Sequence, residues 1–95
     1  MKQHGKARDH NEPEIIKALL NLGCVVWPMD PPRVDILVGI PDPDGKIGKW
    51  IPCEIKQPKG KLTSGQMQQA AQCTELKLPF RVLRDIPDAI SLVIP

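Results

Sequence analysis

Two apolar runs on either side of one polar turn constrain this chain more than anything else in it. "VDILVGI" at 34–40 and "KWIPCEIK" at 49–56 flank "PDPDGKIG", in which Asp44-Gly45 is the expected tight point. Runs of that length and composition, so separated, predict an antiparallel hairpin. The pairing sets the start of the first run beside the end of the second, so Asp35 and Glu54 become neighbours by topology. Glu54 and Lys56, two residues apart, share one face with Cα atoms roughly 6.5–7 Å apart, while Cys53 and Ile55 pack on the other. Pro52 forfeits a ladder hydrogen bond, so a bulge or local irregularity is expected there.

The remaining segments build around this hairpin. Residues 1–10, "MKQHGKARDH", are polar and aperiodic and read as a mobile basic arm, which leaves 11–95 as one domain. "NEPEIIKALLNLG" predicts a helix capped by Asn11, with Pro13 in its first turn, Ile15, Ala18, Leu19 and Leu22 on one face, and Gly23 ending it. "CVVW" is a short strand stopped by Pro28. Thr63-Ser64-Gly65-Gln66 matches a capping box and opens a helix to about Lys77, with Met67, Ala70, Ala71, Thr74 and Leu78 inward. "FRVL" is a last strand, and "DIPDAISLVI" a short terminal helix, with a strand as the alternative. The fold class is therefore α/β, in the order α-β-β-β-α-β with a short terminal element.

Composition removes several functions. A net charge of +2 does not announce a nucleic-acid binder, but from Lys46 to Lys61 five lysines stand against Glu54 alone. One Phe, two Trp and no Tyr argue against a stacking platform for single-stranded bases. The three cysteines, Cys24, Cys53 and Cys73, are widely spaced in apolar segments, which fits reduced core thiols rather than a disulfide framework or a zinc site. No run is long enough to span a membrane, and no signal peptide is evident, so a cytoplasmic protein is expected.

The charged residues at the hairpin's open end carry the chemistry. Two adjacent carboxylates repel unless a cation lies between them. Mg²⁺ takes oxygen ligands, often only one or two carboxylates with retained waters, and the Ile55 carbonyl offers a further oxygen. Such an ion stabilises charge on a phosphodiester and acidifies a bound water. Lys56 is placed to orient or deprotonate that water, or to steady the pentacovalent state. Lys59 and Lys61 in the next loop, and more weakly Arg33, Lys46 and Lys49, are candidate phosphate contacts.

Asp35 followed by Glu54-x-Lys56 on adjacent strands, then a helix, resembles the PD-(D/E)XK nuclease superfamily. More narrowly, "DHNEPEIIKALLNLGC", "VDILVGI", "CEIKQPKGKLTSGQ" and "FRVLRDIPDAI" resemble the stand-alone virus-type replication-repair nuclease (VRR-NUC) domains common in phages, over about residues 9–90. The resemblance implies a restriction-endonuclease-like core, a mixed sheet flanked by helices, and Mg²⁺- or Mn²⁺-dependent endonuclease activity. It also implies 5′-phosphate and 3′-hydroxyl products and metal ligands at Asp35, Glu54 and the Ile55 carbonyl. Glu14 matches the family's first-helix Glu, acting directly or through water, Lys56 its catalytic Lys, and Gln66 its following-helix Gln. Where the family has Gly-x-Pro-Asp, this chain reads Pro32-Arg33-Val34-Asp35; its Pro41-Asp42 and Pro43-Asp44 pairs lie past the strand, in the turn.

Branched DNA such as a Holliday junction, met in DNA repair, is the implied substrate, and two cuts at a branch call for a homodimer. Glu14 has a competing role as capping partner of Asn11, with Glu12 expected to face solvent, and Gln66 as partner of Thr63. The alternative for the whole chain is a non-catalytic DNA- or partner-binding module on the same fold; RNA as the substrate is a third possibility.

Overall fold

The computed structural model describes residues 9–30 and 34–94. The basic arm up to Arg8 and the candidate phosphate contact Arg33 lie outside the described residues. The element order is α1 (Glu12–Asn21), β1 (Val25–Pro28), β2 (Ile36–Ile40), β3 (Lys49–Ile55), α2 (Ser64–Glu75), β4 (Arg81–Leu83) and α3 (Ile86–Val93). This is the expected α/β order, and the terminal element is a helix.

The four strands form one mixed sheet in the order β1-β2-β3-β4. β1 with β2 and β2 with β3 are antiparallel, and β3 with β4 is parallel. The parallel pair is joined through α2, since a parallel connection needs a long crossover. Alternation gives the sheet two unlike faces. Ile36, Val38, Ile51, Cys53 and Ile55 pack with Ile15 and Leu19 of α1 and Ala89 and Leu92 of α3 into one core. Each large aliphatic side chain so buried contributes about 1.5–3 kcal/mol. The opposite face carries Leu37 and Gly39 of β2 and Trp50, Pro52 and Glu54 of β3.

Three local expectations change. Pro52 causes no bulge: it sits opposite Leu37 in an unbroken register from Ile36↔Cys53 to Ile40↔Lys49. The irregularity falls instead at Asp35, whose N–H donates to the Cys53 carbonyl at 3.2 Å although Cys53 is the register partner of Ile36. Two residues of one strand thus meet one of the other, which is the signature of a bulge.

Asn11 does not cap α1 through its side chain, because its backbone is already helical (φ −84°, ψ −2°) rather than extended. α2 also differs from expectation. Its capping box is complete at Thr63 and Gln66, yet no residue of it is buried, and Met67 within it and Leu78 just beyond are each 55% exposed. Gly23 ends α1 as expected, at φ +88°, a conformation that L side chains rarely adopt.

Candidate active site

The site grows from the bulge at Asp35. With its N–H on the Cys53 carbonyl, Asp35 turns its carboxylate along β3, where Oδ2 accepts the Ile55 N–H at 2.8 Å. Asp35 therefore grips β3 on both sides of Glu54, at residues 53 and 55. Its own carbonyl accepts the Met29 N–H at 2.8 Å, which ties it to the end of β1 as well. Asp35 is 3% exposed and Glu54 fully buried, so both carboxylates lie in the interior.

Gln66 closes the other side of Glu54. Its Nε2 donates to Glu54 Oε2 at 2.7 Å, its Oε1 accepts the Thr63 N–H at 2.9 Å, and its N–H donates to Thr63 Oγ1 at 3.1 Å. The two roles weighed for Gln66 in the sequence are thus held together: it caps α2 and touches the site. Lys56 follows directly, half-buried, with its N–H on the Leu83 carbonyl at 3.1 Å.

The loop after β3 is held by side chains that sequence reasoning missed. Asn11 Nδ2 donates to the Lys56 and Arg84 carbonyls, both at 2.8 Å, pinning the start of α1 to the ends of β3 and β4. The Arg84 guanidinium donates to the Gln57 carbonyl at 3.0 Å and to the Gly60 carbonyl. Asp88 Oδ2 in turn accepts the Arg84 N–H at 2.9 Å. Lys59 and Lys61, both exposed, ride on this clamped loop. No local motif marks Asn11 or Arg84, because their partners are main-chain carbonyls distant in sequence.

The first helix departs from expectation. Glu12 is 7% exposed and Glu14 is exposed, the reverse of the anticipated orientation. Helix geometry explains it: Glu12 lies three and seven residues before the buried Ile15 and Leu19, whereas Glu14 points about 200° away from Glu12. That spacing was the signal available in the sequence. Lys49 opens β3, at the opposite end of the strand from Glu54, and is exposed, as is Lys46 in the preceding turn.

Among the described residues, no group of three or more His, Cys, Asp or Glu side chains is gathered closely enough to hold a metal ion. What the site offers is a pair of carboxylates with nearby carbonyls. This donor set is all oxygen and fits a hard divalent cation that keeps several waters. Thiolate ligation is disfavoured: Cys53, on the core face, has its thiol pushed up from 9.0 to about 12, chiefly by burial, with Arg81 opposing and Cys24 adding to the rise. The Cys24 thiol is likewise raised by burial.

Among the described residues, no helix is long and apolar enough to cross a membrane. Comparison with known proteins adds no relative: no family model, no curated protein and no solved structure matches the chain.

Proposed function

We propose that this chain is a Mg²⁺- or Mn²⁺-dependent DNA endonuclease of the VRR-NUC type within the PD-(D/E)XK superfamily. The observation that supports the reading is the grip of Asp35 on the β3 main chain at residues 53 and 55, on either side of the buried Glu54 and just before Lys56. In this reading Asp35, Glu54 and the Ile55 carbonyl hold the cation. Bound there, Mg²⁺ or Mn²⁺ supplies charge stabilisation at the phosphodiester and a more acidic water. Lys56, as a cation, orients the attacking water, whose proton passes to solvent, and stabilises charge on the pentacovalent phosphorus. Gln66 orients Glu54 through its amide. Of the first-helix acids, Glu12 is the one turned inward and Glu14 faces solvent. Lys59 and Lys61 contact the phosphates flanking the scissile bond.

Branched DNA is the proposed substrate and a homodimer the proposed form. Cutting both strands of a junction needs two sites, and exposed Met67, Leu76 and Leu78 offer apolar surface for a second copy to cover. One observation favours a second reading, a binding module without catalysis: the described residues assemble two carboxylates here rather than three, and the Gln66 amide closes over Glu54.

Labelled four-way junction, flap and linear duplex, incubated with Mg²⁺, Mn²⁺ or EDTA, separate the two. Cleavage in metal that EDTA and Lys56→Ala both abolish supports the nuclease. Cleavage indifferent to both would sink this mechanism, and binding without cutting favours the module.

A further inference from the structure

On the sheet face that carries Glu54, Trp27 and Trp50 come together despite lying on different strands. Pairing sets Val25, Gly39 and Trp50 in one cross-strand row and Trp27, Leu37 and Pro52 in the next, so both indoles project from the face opposite the core. Their ring centroids are 4.6 Å apart at an interplanar angle of 38°. Trp50 is seated on Gly39, where an added Cβ would come within 2.9 Å of the indole ring. The rings are thus fixed in place, yet Trp27 remains 53% and Trp50 44% exposed.

We propose that the Trp27–Trp50 pair is a stacking platform for an unpaired nucleobase of the DNA held at Asp35 and Glu54. The inference rests on the nuclease reading and adds to it a preference for DNA with open bases. Trp50, Pro52 and Glu54 alternate onto one face, so the platform lies four residues, roughly 13 Å, from Glu54 along the same strand. That is about four steps of a DNA strand, within the footprint of one bound arm. A preordered pair of indoles accepts a base without the cost of ordering side chains first.

Area favours a base over a second copy of the chain. Aromatic side chains carry about 150–250 Å² each, so the two half-exposed rings, even with the 49% exposed Val25 of the same row, fall well short of the about 800 Å² per partner in a stable protein interface. Charge points to stacking as the source of affinity. Asp42 and Asp44 offset Lys46 and Lys49 in the adjoining turn and strand start, leaving that end of the hairpin neutral. The platform's share of binding is therefore insensitive to salt, unlike that of Lys59 and Lys61.

The chain has two Trp and no Tyr, so its tryptophan emission reports on this pair alone. The test titrates full-length protein in EDTA with a flap bearing unpaired bases and with a fully paired duplex of equal length. The flap should shift or quench the emission and the duplex should not. Trp27→Leu should weaken flap binding about 5- to 150-fold, leave duplex binding unchanged and preserve the salt slope, with Trp27→Phe recovering part of the loss. Circular dichroism confirms that each variant is folded.

Flap and duplex affinities equally unchanged in Trp27→Leu would overturn the platform. So would emission that depends on protein concentration alone, together with a dimer that Trp27→Leu dissociates, since a second copy would then cover the rings. Cleavage in Mg²⁺ is scored separately. Trp-dependent flap binding without cleavage removes the nuclease reading and keeps the platform, while cleavage without Trp dependence does the opposite.

Discussion

Asp35 and Ile55 are joined by a side-chain-to-main-chain hydrogen bond of 2.8 Å, in which the carboxylate accepts the Ile55 N–H next to Glu54. The bond makes Asp35 structural and chemical at once, so substitutions there separate the two roles. Asp35→Asn keeps an acceptor for Ile55 and should cost little stability. Asp35→Ala leaves a buried donor unmet and should cost about 1–3 kcal/mol in urea unfolding. Both should abolish the rise in melting temperature on adding Mn²⁺, which the wild type shows if Asp35 is a ligand. Retention of that rise in Asp35→Asn would remove Asp35 from the metal site.

Lys56→Ala removes a half-buried cation two residues beyond Glu54. Cleavage should fall about 10²–10⁴-fold, the usual worth of a positioned acid or base, with the melting temperature changed by no more than a few degrees. A variant that cuts at the wild-type rate would assign the lysine to the surface.

Asn11→Ala should destabilise by about 1–3 kcal/mol, because the carbonyls of Lys56 and Arg84 lose the amide that serves both. Arg84→Lys keeps the charge but loses the fork that reaches Gln57 and Gly60. Its effect should appear in DNA affinity through the lysine-bearing loop, with single-turnover cleavage at saturating protein largely retained. An Arg84→Lys defect confined to the single-turnover rate would contradict that assignment.

Alkaline pH should loosen the core through Cys53. Its thiol titrates near 12 in the fold against an ordinary 9.0, because burial penalises the thiolate. The folded state then binds more protons than the unfolded state between those values. The associated stability is complete below pH 9 and drains as pH rises toward 12, at about 1.4 kcal/mol per unit for this one group. Melting temperatures at pH 8 and pH 10.5 should diverge more in wild type than in Cys53→Val, whose packing is similar. Equal slopes would show that the thiol is not the group responsible.

The hairpin was legible because its signals agree: apolar runs, turn residues and the position of Asp35 relative to Glu54 lead to one pairing. The capping box at Thr63 and Gln66 was legible for the same reason, being local. Orientation about an axis was harder. Glu12 and Glu14 are two residues apart, and only the full stripe through Ile15 and Leu19 decides which faces inward. Pro52 was misjudged because register between strands is set by many pairs, and one missing donor does not move them. The Asn11 and Arg84 clamps were invisible, since a side chain that binds distant carbonyls leaves no periodic trace. Counting aromatics, in turn, could not reveal that register would bring the two indoles into contact.

The Gln66 amide that reaches Glu54 belongs to the first turn of a helix with no buried residue. A segment held by so little packing opens at low free-energy cost relative to the global transition. Each such opening would withdraw the amide and uncover the carboxylate, which gives a deeply interior group a route to solvent without unfolding the sheet. Amide hydrogen exchange should accordingly be fast along 64–75 and slow in β2 and β3. Anything that quiets α2, whether a bound strand or a second copy of the chain, would set how often that carboxylate is exposed.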